Sequence, residues 1–150
     1  MKNRIRLFEK VFVAMILSAS SAVVLSFAQQ KSVGVFEQHG DIGAVAKRGA
    51  AEFDAAKKTY LLTGGGENMW FNKDAFHFVW KKASGDVSLA AEIKLLGKNS
   101  HAHRKACLLI RQTLDADSPY ADAALHGNGL ASLQYREEQG GPTREIQSNV

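Results

Sequence analysis

From Ala50 onward, short apolar runs alternate with turn signals at intervals of roughly 8–12 residues, and no segment there sustains a helical period. This spacing limits the fold more than any other feature. Segments so short bury too little surface as isolated helices, but as paired strands they can build a core.

Ala50–Asp54 and Thr59–Thr63 flank Ala55–Lys58 and predict a hairpin, which Gly64–Gly66 terminates. Ala75–Lys81 (AFHFVWK) is rich in aromatic and β-branched side chains and ends at Gly85–Asp86. Val87, Leu89, Ala91, Ile93 and Leu95 alternate with Ser88, Ala90, Glu92 and Lys94, the period-2 pattern of a strand with one buried face. Ala106–Leu114 (ACLLIRQTL) is more densely apolar and predicts a strand covered on both faces, near a sheet centre. Tyr120–His126, the turn Gly127–Asn128–Gly129 and Leu130–Arg136 predict a second hairpin, and Thr143–Gln147 begins a further strand. The expected fold is all-β, an antiparallel β-sandwich occupying residues 49–150. The last strand runs to the vicinity of Val150 without an evident closing partner. Either the sheet closes with an early strand or the sandwich is incomplete, with an open edge; the incomplete sandwich is the leading expectation.

Charge divides the chain. Lys2, Arg4, Arg6 and Lys10 stand against Glu9 in the first ten residues, and residues 11–28 (VFVAMILSASSAVVLSFA) carry no charge. A basic start, an apolar stretch and small residues at Ser26 and Ala28 are the three parts of an export signal. Residues 1–28 are therefore expected to be a signal peptide cleaved after Ala28, with retention as a membrane anchor the alternative. Cys107 is the only cysteine, which excludes a lipid-modified N-terminus, an intrachain disulfide and a multi-cysteine zinc site. The whole chain carries +4, but most of that charge lies in the signal, so the argument for nucleic-acid binding falls away. Residues 29–48 mix Gly, Gln, Ser and Lys without periodicity and read as a linker. The mature chain is expected in the periplasm or outside the cell, with no membrane segment.

Two sets of polar residues suggest metal sites and argue against them at once. His101 and His103, with His126 or His39 as a third partner, could approach a cation, but Arg104 and Lys105 beside them oppose one. Asp115, Asp117 and Ser118 offer hard oxygen ligands, yet with Pro119 they also compose an ordinary turn. No metal or other cofactor is expected. Catalysis is not expected either: Glu137 and Glu138 are adjacent and face opposite ways on a strand, and no G-x-S-x-G elbow is present.

Binding chemistry remains. Sugar sites combine an aromatic platform with convergent polar groups. Trp70, Trp80, Tyr120 and Tyr135 supply rings, and Arg111, His126, Gln134 and Arg136 supply polar groups near strand ends. Arg111 interrupts an apolar run on the face of Cys107 and Leu109. It either opens onto a cleft or pairs with an acid such as Asp122 or Glu92. The candidate ligand-binding set is Arg111, Tyr135, His126, Trp70 and Arg136, and a sugar site between Arg111 and Tyr135 requires that the two point to one open face.

Gly40–Asp41–Ile42–Gly43, the stretch GAAEFDAAKKTYLLTGGGENMWFNKDAFHFVWKKASGD and the stretch HRKACLLIRQTLDADSPYADAALHGNGLASLQYR together resemble a known module. It is the concanavalin A-like (laminin-G-like) β-sandwich of exported bacterial TolB-like proteins, also appended to some secreted glycoside hydrolases. The resemblance runs from about Gly40 to Val150 and implies a jelly roll. In that family the roll continues for several more strands, and many members then carry a β-propeller, which supports an incomplete module here. Cys107 stands where the family has small residues, so no role carries over to it. The fold hosts lectins, hydrolases and adhesion modules alike, so it implies architecture more than activity. The leading expectation is a non-catalytic, carbohydrate-binding module. The alternative is an interaction or scaffold module of a TolB-like envelope protein, partnered by another envelope protein or a fused propeller.

Overall fold

The computed structural model describes residues 32–97 and 101–148. The expected signal peptide and its cleavage point lie outside the described residues. Among these residues there is no helix, and so none long and apolar enough to cross a membrane. The described residues form eight antiparallel strands in three sheets: β1 (Gln38–Ile42) with β4 (Phe76–Trp80), β2 (Ala50–Asp54) with β3 (Thr59–Thr63), and a four-stranded sheet in the order β5 (Lys105–Arg111), β6 (Tyr120–His126), β7 (Ala131–Arg136), β8 (Arg144–Ser148).

Both hairpins form where the turn residues place them. The Asp54 carboxylate accepts the backbone N–H groups of Ala56 and Lys57, each at 3.0 Å, and closes β2 onto β3. The Gly129 N–H returns to the His126 carbonyl at 3.0 Å, with Gly129 at φ 91°, where a side chain would be strained. Asp115 and Ser118 form a turn through the Ser118 N–H and the Asp115 carbonyl at 3.1 Å.

Three expectations need correction. The segment read as a linker contains β1, whose residues pair with β4 across the chain, a partnership that local composition does not reveal. Val87–Leu95 forms no strand: Val87 and Leu89 are about half exposed, because alternation makes a strand only where a neighbour completes its hydrogen bonds. β5 lies at an edge of its sheet, not at the centre, and Ile110 on it is 54% exposed.

The register of the large sheet sorts its side chains into two unlike faces. One face carries Lys105, Cys107, Leu109 and Arg111 from β5, Tyr120, Asp122, Ala124 and His126 from β6, Ser132, Gln134 and Arg136 from β7, and Glu145 from β8. This polar face is the buried one. Met69, Leu109 and Tyr120 form its apolar centre, with Phe76 and Phe78 of β4 packed on them. The opposite face holds Leu108, Ile110, Ala123, Leu133 and Ile146, and it is substantially exposed.

Candidate functional site

Asp74, in the loop before β4, is the anchor of one end of the polar face. Its carboxylate accepts two hydrogen bonds from Arg136, at 2.9 Å and 2.7 Å, and sits 3.5 Å from Nη1 of Arg111. The remaining Arg136 donors go to the carbonyls of Gly141 (3.0 Å), Ser118 (3.0 Å) and Phe71 (2.8 Å). All five N–H groups of that guanidinium are thus engaged by the protein. Arg111 donates to the carbonyls of Thr113, at 2.7 Å, and Asp115, and its guanidinium lies over the Phe76 ring. Burial lowers its pKa, against the pull of Asp74. Both arginines therefore hold loops together. The acid that Arg111 meets is Asp74, not Asp122 or Glu92. Tyr120 completes this end: its hydroxyl donates to the Met69 carbonyl at 3.0 Å, and burial pushes its pKa up to about 12.

The other end of the face is built differently. The Lys105 ammonium donates to Asn68 Oδ1 at 3.1 Å and Gln134 Oε1 at 2.9 Å, and lies 5.3 Å from the centre of the Trp70 ring. Gln134 in turn donates to Glu145 at 2.8 Å and approaches His126 Nε2 at 3.3 Å. The result is a connected polar row, Asn68–Lys105–Gln134–Glu145–His126, drawn from β5 to β8 and one loop. Burial pulls the Lys105 ammonium below the usual lysine range. Burial, with Lys105 as a positive neighbour, does the same for His126. Burial would raise Glu145, but hydrogen bonds from Gln147 and Gln134 hold it below its ordinary value.

Asp122 lies on this face between the two ends, buried, with neither oxygen in good hydrogen-bond geometry and with the Cys107 thiol and the Gln134 backbone near enough to favour its charge. Burial pushes its pKa up to about 6, with the Cys107 thiol and the Lys105 ammonium pulling the other way. Burial and that carboxylate push the neighbouring Cys107 thiol up, which favours its neutral form.

Trp70 is 37% exposed and Phe71 68% exposed. They line a shallow cleft with Asn72, Gly140, Pro142 and Thr143. Among the five expected site residues, His126 belongs to the polar row and Trp70 borders it. Arg111 and Arg136 share its face but are committed to Asp74. Tyr135 pairs with Ala121 and Arg144 and points to the opposite, apolar side, so the sheet itself separates it from Arg111. Trp80, by contrast, stacks on Phe78 at the end of β4, part-buried.

Sequence reasoning missed Asp74, Lys105, Asn68 and Glu145. A signal for part of this set exists: Tyr120, Asp122 and His126 alternate with alanines and Leu125, and Ser132, Gln134 and Arg136 repeat the parity. Each strand has one polar side, but the pattern does not say that this side is the covered one. The expected turn at Asp115–Ser118 is present, with Asp117 accepting from Gln139 at 3.2 Å. His101 and His103 lie with ring centres 5.6 Å apart, and His103 stands 6.1 Å from His126. Among the described residues no three His, Cys, Asp or Glu side chains converge on a metal position. Comparison of the chain with family models, with curated proteins and with solved structures finds no match in any of the three.

Proposed function

We propose that this chain is an exported, non-catalytic module of the jelly-roll β-sandwich kind that binds carbohydrate through the Trp70 end of its polar face. One observation carries the reading: Trp70 stands part-exposed between an open cleft and a row of hydrogen-bonding side chains. A pyranose needs both, an aromatic ring for its C–H face and donors and acceptors for its hydroxyls. Lys105, whose ammonium lies over the ring, and its hydrogen-bond partner Asn68, both part-buried, supply polar groups beside Trp70, and Phe71 extends the apolar platform. Binding to a glycan array, followed by titration of the best sugar, tests this. Trp70→Ala is expected to weaken binding at least tenfold with the fold intact by circular dichroism. Absence of any glycan signal from the folded wild type would overturn it.

A second reading has a specific observation behind it. Arg111 and Arg136 both act on Asp74 inside the protein, which favours a rigid scaffold in a TolB-like envelope protein whose partner docks elsewhere. Retention of an envelope protein by the wild type, unaffected by Trp70→Ala and without sugar binding, would favour that alternative.

A further inference from the structure

We propose that His39 and His77 together chelate a divalent first-row cation, zinc or copper, on the face of the β1–β4 pair that lies away from Phe76 and Phe78. The site is independent of the sugar-binding reading. Asp41 is paired with His77 in the strand register, and His39 lies two residues before Asp41, so all three side chains share one face. Nδ1–H of His77 donates to Asp41 Oδ1 at 2.7 Å. The Gly49 N–H donates to the same oxygen at 3.0 Å and to Oδ2 at 3.3 Å, which fixes the carboxylate. That bond places the His77 proton on Nδ1 and leaves Nε2 with its lone pair outward. Nε2 then faces Nδ1 of His39 at 3.2 Å.

Two ring nitrogens at that separation have the spacing of two ligands on one ion. With metal–nitrogen bonds of 2.0–2.1 Å, an N···N distance of 3.2 Å corresponds to an angle of about 100° at the metal, close to tetrahedral. The ion takes the place of the proton that the rings otherwise share, and His39 moves its own proton to Nε2. A carboxylate behind a ligating imidazole is the usual outer partner of such a site, fixing the tautomer and raising the basicity of the ligand.

The setting is rigid on one side and open on the other. A Cβ at Gly49 would come within 2.2 Å of the His77 ring, so the backbone there packs directly on the imidazole and holds it in place. The His77 side chain is buried, 3% exposed, and His39 is part-buried, so water or an outside ligand would reach the ion from the His39 side. Both donors are imidazole nitrogens, which favours imidazole-seeking ions, and water would complete the coordination, since no group of three His, Cys, Asp or Glu is found among the described residues. Calcium and magnesium, which want oxygen, are excluded by the donor type.

Calorimetric titration of the metal-free full chain with Zn²⁺, and with Cu²⁺ followed by electron paramagnetic resonance, tests the proposal. One ion per chain is expected, with two nitrogens coupled to copper. His39→Gln, at the half-exposed position, should weaken binding at least tenfold, and Asp41→Asn about tenfold. The double variant His101→Gln/His103→Gln should bind as the wild type does. Absence of saturable binding, or binding kept in His39→Gln but lost in the His101/His103 variant, would overturn the site.

Discussion

Arg136 meets Asp74 as a buried two-point fork, Nη1 to Oδ2 at 2.9 Å and Nη2 to Oδ1 at 2.7 Å, across 62 residues of sequence. Neither side chain is exposed to solvent. The fork fastens the loop before β4 to the end of β7, and Arg136 extends the clasp to the Gly141, Ser118 and Phe71 carbonyls. Removal of one member strands a desolvated charge and several carbonyls. Arg136→Met is therefore expected to cost about 3–5 kcal/mol in urea unfolding. A loss below about 1 kcal/mol, the range of exposed pairs, would mean that the fork is not desolvated in solution.

Arg111→Met should be milder. Arg136 still neutralises Asp74 in that variant, and the repulsion between the two guanidiniums disappears. What is lost is a pair of bonds to the Thr113 and Asp115 carbonyls, so a cost of about 1–2 kcal/mol is expected. A double-mutant cycle with Arg136→Met checks the shared dependence on Asp74. Strict additivity would show that the two arginines act separately.

Asp122 makes stability fall as pH rises. Its folded pKa of about 6 lies above the ordinary value of 3.8, because burial disfavours the charge. The contribution is therefore fully present below pH 3.8 and is lost as pH rises through about 6. Asp122→Asn removes this dependence. Relative to the wild type it should gain on the order of 1–3 kcal/mol near neutrality and almost nothing at about pH 4. Unfolding curves across that range test it, and parallel profiles for the two proteins would contradict the assignment.

The apolar face of the four-stranded sheet should make the chain self-associate. Ile110, Leu133 and Ile146 are each close to half exposed or more, and Ile93 reaches toward the same face beside Leu108 and Leu133. Light scattering of the purified chain is expected to report oligomers, and an apolar dye should bind and fluoresce. Leu133→Lys combined with Ile146→Lys should suppress both signals. A dye-silent monomeric wild type would refute the expectation.

Local chemistry made much of the strand map legible in advance. Asp54 and the residues after it close a hairpin through their own hydrogen bonds, and Gly129 takes a backbone angle that favours glycine. Such turns are settled within a few residues, so β2, β3, β6 and β7 follow from the sequence. So does the shared face of Cys107, Leu109 and Arg111, because strand periodicity is local. What the sequence left open depends on partners far along the chain. Gln38–Ile42 became a strand because Phe76–Trp80 lies beside it, and Val87–Leu95 did not because, among the described residues, no strand pairs with it. Burial was decided in the same way. Strand alternation separates polar from apolar sides, yet only the packing of β4 and the Met69 loop chose the polar side for cover. Arg111 could have met any acid within reach. It met Asp74 because the tertiary fold brings that loop over the sheet, and no spacing along the chain encodes such a contact.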